Sequence, residues 1–550
     1  MSQLRLAGGT VYDPANGVDG EVRDLCIEDG RLVAEVAADA PAIDARGMVV
    51  MPGGVDIHAH VAGGAVNLAR RLLPEEHRGD PVRAPAVEDE GPLPRSGTGG
   101  TVPSTFTTGY RYTGLGYTTV FDAAVAPAAA RLSHAELDDT PIVDAGFFVL
   151  MGNDEYLLRL VAADERERAR EYAAWLLGAA GGYAIKIVNP GGIELWKRGS
   201  RERTTLDTPI GSTRVTPRAI LETLVDAGNA LALPHAAHIH CNNLGVAGNV
   251  QTTIESMRAV GGRRAHFTHL QFHSYGQGPD GGWRSGAREV SEYVNAHPEV
   301  SGDVGQVMFG AATTVTADAP VEYLLHKSSG RKWVNLDIEL ETGCGIVPYA
   351  YKEKAAVAAL QWVVGLELFL LAADPWRLVL STDHPNGGSF MSYPELIRLL
   401  MDRTYRDARL KRVNHKLLAG SALADGLGRE YTLNEIAVIT RAGPARVLGL
   451  HSKGQLGLGA DADVTVYVPD ADRARMFATP RYVIKAGTLV VEEGQLRRTP
   501  PGRRLHIRPE YDAAIARDLK RFFERYATIS FENYPVGELR DGPLDAGARR

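Results

Sequence analysis

The sequence predicts an α/β fold: a (β/α)₈ barrel with a discontinuous β-sandwich beside it. Three observations carry that prediction. Apolar β-like runs alternate with Ala/Leu-rich helical stretches for several hundred residues after Pro52, the pattern of parallel β/α units. Strand-like segments without helices between them occupy residues 3–50 and return after Arg441-Ala442-Gly443-Pro444. Residues able to bind a metal ion sit at the C-terminal ends of the predicted strands, where barrel enzymes place their sites. A doubly wound open sheet is the competing architecture, but no G-x-G-x-x-G follows an early strand.

The N-terminal unit reads as Leu4-Arg5-Leu6-Ala7, Thr10-Val11-Tyr12 and Asp24-Leu25-Cys26-Ile27-Glu28, with Asp29-Gly30 turning into Arg31-Leu32-Val33. The barrel then starts at Val55-Asp56-Ile57. It continues through Tyr117 to Phe121, Ile142 to Phe147, Ala184 to Val188, Ile239 to Cys241, Ala265 to Leu270 and Leu378 to Thr382. Helical stretches such as Glu165 to Leu177 and Arg218 to Ala230 lie between them. Two segments exceed ordinary loop length, about 62–104 and 272–333, and are expected to cover the barrel mouth. Asp463 to Tyr467, Tyr482 to Gly487 and Thr488 to Val491 are expected to complete the N-terminal β unit. The expected domains are therefore 1–52 plus 455–505 (β-sandwich), 53–454 (barrel) and 506–550 (helical tail). In the tail, Tyr511, Ala514, Ile515, Leu519, Phe522, Phe523 and Tyr526 have helical spacing, for packing on the chain itself or on a partner.

Bulk properties exclude several function classes. Hydrophobic residues make up 44% and charged residues 23% of 550 positions, the composition of an ordinary globular chain. A net charge of −7 leaves no basic footprint for nucleic acid. No apolar run approaches the roughly 20 residues that span a bilayer. The opening Met1-Ser2-Gln3-Leu4-Arg5 has no secretory pattern, and three scattered cysteines (Cys26, Cys241, Cys344) argue against disulfides. A cytoplasmic protein is expected.

The chemistry begins at Met51 to Val61, MPGGVDIHAHV. On an extended backbone residues i and i+2 share a face, so His58 and His60 aim at one point, the arrangement a divalent metal uses. Lys186 follows, inside the apolar run Ala184-Ile185-Lys186-Ile187-Val188. A lysine there is exposed at an edge, paired, or lowered in pKa. A neutral buried amine can take up CO₂ as a carbamate and bridge two metals. Three histidines, His235, His238 and His240, crowd the next strand, with His238 and His240 on one face. His266, His269 and His273 come after it, and Asp383 ends a strand in Ser381-Thr382-Asp383-His384-Pro385-Asn386.

These pieces, in this order, resemble the amidohydrolase superfamily. The match includes Val55 to His60, Gly116 to Val120, Lys186, Thr382 to Pro385, Ala442 to Leu450 and Gly459 to Val464. The branch with two metals bridged by a carboxylated lysine, shared by dihydroorotases and hydantoinases, is the most similar. The resemblance implies a TIM barrel of amidohydrolase type holding two zinc ions bridged by N6-carboxylated Lys186. His58 and His60 would bind one zinc, His240 and His269 the other, and Asp383 would contact metal and act as the base. His238 is the alternative to His240. Longer blocks, Val11 to Gly17, His240-Cys241-Asn242-Asn243-Leu244-Gly245 and Thr268 to Gly276, are similar to the amidohydrolase-type component, designated A, of formylmethanofuran dehydrogenases and formyltransferase/hydrolase complexes. That resemblance implies hydrolysis of an N-formyl amide on a methanofuran- or methylofuran-type C1 carrier to formate and free amine. Asn242 or Asn243 would help hold the carrier, and the other subunits of the complex would be partners. The other readings are a dehydrogenase running the reverse condensation, a cyclic amidase of the dihydroorotase or hydantoinase type, and a non-catalytic scaffold subunit.

Overall fold

The computed structural model describes residues 2–78, 97–200, 203–278, 281–336 and 344–544. Eight parallel strands neighbour one another in chain order: β1 (Gly54–Ala59), β2 (Tyr117–Val125), β3 (Asp144–Leu150), β4 (Ala184–Val188), β5 (Ala237–His240), β6 (Ala265–Phe267), β7 (Val300–Asp303) and β8 (Leu378–Val379). The sheet curls until its ends meet at the mouth, where the His60 N–H donates to the His384 carbonyl at 2.6 Å. Every residue of β1, β3, β4 and β5 is buried. β3 and β4 accordingly read as nearly unbroken apolar runs, while β1 and β5 interleave buried Asp and His with apolar residues.

Helices wrap the outside, with local chemistry that fixes their ends. In Pro217–Ala230 the Thr216 hydroxyl accepts from the Ala219 N–H at 3.2 Å and Pro217 opens the first turn. Arg166–Ala180 stops at Gly181, which takes the left-handed conformation a chiral residue resists. The most apolar helix, Ala356–Leu371, packs nearly all of its surface into the core. No helix among the described residues is long and apolar enough to cross a membrane.

The expected β-sandwich is one hydrogen-bonded sheet closed round its own core. Strands Val464–Tyr467, Tyr482–Lys485, Thr488–Glu492 and Gln495–Leu496 join Val49–Pro52, Gln3–Asp13, Val18–Glu28, Arg31–Val33 and Ala42–Asp44. Leu32 near one edge and Ile484 from the other half share a single apolar cluster, and Arg31 bridges to Asp461. The runs at 4–7 and 10–12, separate in the sequence, are one strand. Its register shifts between Leu6 and Gly9, where Gly8 sits at φ +70°, so the glycine pair marks a bulge rather than a strand end.

The segment 272–333 needs correction as a lid. It contains β7 and the helix Ala287–Ala296 of the barrel itself. β7 is only four residues, Val-Ser-Gly-Asp, too short and polar to register as an apolar run. The insertion proper is a three-stranded antiparallel sheet, Gly310–Thr316, Val334–Leu336 and Cys344–Tyr351, with the helix Ala319–Ser329. Of the segment 62–104, the structure places the helix Gly64–Ala69 and a short 3₁₀ turn at Pro74–His77; its middle part, 79–96, lies outside the described residues.

Beyond residue 500 the chain returns to the barrel. Arg504–Leu505 pairs with the start of β3. The tail helix Ala514–Tyr526 buries Ile515, Leu519, Phe522 and Phe523, with Phe522 edge-on to Tyr156 at 4.9 Å, so its apolar face packs on its own chain.

Candidate metal centre and active site

The C-terminal ends of the strands deliver ionisable side chains into one cavity of about 550 Å³. Its floor is His58, His60, Lys186, His240, His269 and Asp383, all buried. Asp383 Oδ1 lies 3.0 Å from His58 Nε2 and 3.3 Å from His60 Nε2, so one carboxylate oxygen faces both imidazoles at the end of β1. His58, His269 and Asp383 form one set of potential ligand atoms within 4.8 Å of one another, and His240, His269 and His273 form a second. His269 belongs to both.

Electrostatics favour cation binding at this floor. Burial drives the pKa values of His240 and His269 well below the usual imidazole value, which leaves these rings neutral, the form that binds metal. Burial also raises the cost of a charged Asp383, but His58 and His269 outweigh it and hold the carboxyl well below its ordinary range. The Lys186 amine is 1% exposed and has no hydrogen-bond partner. Burial lowers its pKa to about 8 against the opposing pull of Asp303 and Asp383. An unpartnered buried amine beside neutral imidazoles and an ionised carboxylate fits a bridged metal pair.

The supporting residues explain the orientation of this floor. His240 Nε2 lies 3.1 Å from Asp318 Oδ2, while Asp318 Oδ1 accepts from Asn189 Nδ2 at 3.0 Å; burial lifts the Asp318 pKa to about 7. A donated Nε2–H leaves Nδ1 as the lone pair of His240. Asp383 Oδ1 also accepts from Asn386 Nδ2 at 2.8 Å. The His269 backbone N–H donates to Asp303 Oδ1 at 3.0 Å, and its φ of +35° is left-handed. His238 points away from the cavity: its Nε2 is 2.9 Å from His58 Nδ1. Asn242 donates to Asn189 Oδ1 and the Pro190 carbonyl, at 2.7 and 2.9 Å. Asn243 is tied to Thr204 and Thr252, and neither asparagine is part of the cavity wall. The wall above the floor is apolar and aromatic, with Leu244, Phe272, Trp283, Leu325, Tyr349 and Tyr351.

Sequence reasoning missed Asp303, Asp318 and Glu322. Asp303 ends the unrecognised β7, and Asp318 precedes a helix of the insertion. Glu322 lies in the cavity wall, where burial, with only the Thr314 hydroxyl to offset it, pushes its pKa well above the ordinary range. A second acidic cluster, Asp144, Asp461 and Asp463, also has ligand-like spacing. Its three carboxylates are already matched by Lys453, Lys485 and Arg503, so it is a salt-bridge network joining the barrel to the β unit.

Residues 42–491 match the model of the amidohydrolase family. The chain belongs to the amidohydrolase family. As a member it is a metal-dependent hydrolase on an amidohydrolase barrel, as the resemblance in the sequence implied. Among curated relatives, FwdA of Methanocaldococcus jannaschii is 42% identical over 555 residues, covering 97% of this chain and 96% of that protein. The A component of the formyltransferase/hydrolase complex Fhc of Methylorubrum extorquens is 38% identical over 541 residues, with 97% and 96% covered. A chain of the crystal structure of the M. extorquens FhcABCD complex with methylofuran superposes with a TM-score of 0.90. It is 36% identical over 97% of this amidohydrolase and 96% of that chain.

Proposed function

We propose that this amidohydrolase is the hydrolytic subunit of a cytoplasmic formyltransferase/hydrolase complex of one-carbon metabolism. Its substrate is an N-formyl amide on a methanofuran- or methylofuran-type carrier. The observation that carries this reading is the end-to-end likeness to a chain of a complex crystallised with methylofuran. The cavity supports it, because an aromatic, apolar wall above a polar floor suits a furan-type carrier whose formyl end points inward.

In this reading His58 and His60 would hold one zinc ion, His240 and His269 the other, and carboxylated Lys186 would contribute to both. His240 is preferred to His238 because it lines the cavity, whereas His238 faces the back of His58. When bound, such a pair supplies Lewis acidity and lowers the pKa of water toward 7. The protein's own part is positional and protonic. Water adds to the formyl carbon as Asp383 takes its proton. The C–N bond then breaks with its electron pair going to nitrogen, and Asp383 returns the proton to the amine. Formate and free amine leave. Asn386 holds the Asp383 oxygen in place at 2.8 Å. Asn242 and Asn243 act through the loops they brace.

The test is formate release by the purified protein from the formylated carrier, with about two zinc ions per chain by elemental analysis. Asp383→Asn should lower turnover by about 10²–10⁴-fold. Turnover of dihydroorotate or hydantoin in place of the carrier would replace this reading with the cyclic-amidase one. The resemblance of the sequence blocks to formylmethanofuran dehydrogenases keeps the opposite direction, condensation of formate with the carrier amine, as a second reading. Carrier formylation by free formate and amine, measured on the same preparation, distinguishes the two.

A further inference from the structure

Behind the His58 ring, three imidazoles form a row that ends on the backbone. His58 Nδ1 lies 2.9 Å from His238 Nε2, and His238 Nδ1 lies 3.0 Å from His235 Nε2. His235 Nδ1 lies 2.9 Å from the carbonyl oxygen of Val447. All three rings are at most 1% exposed, so solvent water does not compete for these nitrogens.

The carbonyl sets the direction of the whole row. It can only accept, so His235 Nδ1 carries hydrogen. A neutral imidazole has one N–H, so His235 Nε2 is a lone pair and His238 Nδ1 must be the donor to it. His238 Nε2 is then also a lone pair, and His58 Nδ1 must donate. Two further groups at His58 Nδ1 agree with that direction: Asp303 Oδ2 stands 3.5 Å away and the Thr268 hydroxyl oxygen is closer still, and both can accept. With Nδ1 committed as the donor, Nε2 is the nitrogen of His58 that faces the cavity, 3.0 Å from Asp383 Oδ1, and the one left to bind a cation.

We infer that His238 and His235 are positioning residues that fix the tautomer of His58, passing the acceptor character of the Val447 carbonyl to the metal-facing nitrogen. The anchor has a structural reason. Val447 lies in the last turn of the helix Gly443–Leu448, where carbonyls have no partner within the helix and are free to accept from outside it. The segment Ala442 to Leu450, singled out by the sequence, thereby gains a role at the site although it contributes nothing to the cavity wall. The crowd of histidines at β5 and just before it divides accordingly, with His240 in the cavity floor and His238 and His235 behind it.

The inference rests on His58 holding a metal ion, so the zinc content of the unmodified protein is measured first. Two variants then separate a directional role from a space-filling one. In His235→Gln the amide still donates to the carbonyl and accepts from His238; His235→Leu fills similar volume and does neither. Zinc affinity, read by competition with a chelator, should fall about 10–100-fold in His235→Leu and stay near the unmodified value in His235→Gln. Thermal midpoints of the two variants control for folding, and His235→Met replaces the leucine variant if that one does not fold. Equal affinity in the apolar and glutamine variants overturns the relay. A protein that never binds zinc overturns the metal reading instead.

Discussion

Gly305 lies so close behind His269 that a β-carbon on it would stand 2.4 Å from His269 Cβ and 2.7 Å from His269 Cα. Gly305 itself has a φ of +64°, and His269 sits at φ +35° with its N–H on Asp303. A side chain at 305 would meet backbone, not a movable side-chain end. Gly305→Ala should therefore displace His269, with about 1–2 kcal/mol of added backbone strain at 305 itself. The expected result is loss of one of two zinc ions and at least about a tenfold fall in formate release, since displacements near 1 Å cost up to 100-fold. Elemental analysis beside turnover checks it; a fully loaded, fully active variant would sink the assignment of His269.

In the proposed site, Asp318 bears on the same zinc position through its 3.1 Å contact with His240 Nε2. Removing an acceptor that orients a metal-binding imidazole typically weakens metal binding about 10–100-fold. Asp318→Ala should show that loss at the second zinc only. Asp318→Asn, whose amide oxygen still accepts from His240 Nε2, should lie between it and the unmodified protein. Chelator competition resolves the two zinc affinities.

The side chains of the cavity floor were legible in the sequence and their supports were not, for a physical reason. His58 lies in β1 and His60 just past it, Lys186 inside β4 and Asp383 shortly after β8, each beside buried apolar residues that a parallel sheet covered on both faces requires. Asp303 ends a strand of four residues, two of them Ser and Gly, which carries no such signal. The choice between His238 and His240 was open because a shared face places both rings alike; in the structure His240 lines the cavity, whereas His238 turns to His58. The two-sided β unit was anticipated as a sandwich, but Gly8-Gly9 hid the continuity of its first strand.

Lys186 makes a pH-dependent prediction. Burial lowers its pKa from 10.5 to about 8, and only the neutral amine can take up CO₂. Reloading of metal-free protein with zinc and bicarbonate should therefore rise about tenfold per pH unit up to about pH 8 and level off above it. An ordinary exposed lysine would keep rising to about pH 10.4. Lys186→Ala should recover neither both zinc ions nor activity at any pH. A reloading rate that is flat from pH 6 to 9 would argue against a carbamate.

The junction network makes the opposite pH prediction for stability. Lys485 Nζ lies 2.9 Å from Asp144 Oδ2 and 3.0 Å from Asp463 Oδ2, all of them buried. Burial alone would raise both carboxyl pKa values, but Lys453 and Lys485 overcome it; Asp144 falls well below its usual value and Asp463 falls to about 2. A carboxylate depressed on folding contributes stability above its unfolded pKa near 3.9 and loses it as pH falls toward the folded value. The network should thus hold full strength at neutral pH and weaken between about pH 4 and pH 2. Lys485→Met leaves a buried carboxylate uncompensated at pH 7, a change that costs about 3–5 kcal/mol. Below about pH 4 the carboxyls begin to take up protons and no longer need the cation, so the variant and the unmodified protein should converge. Thermal midpoints measured from pH 7 to pH 3 test this. A difference that stays constant across the range would show that Lys485 acts there through packing and not through charge.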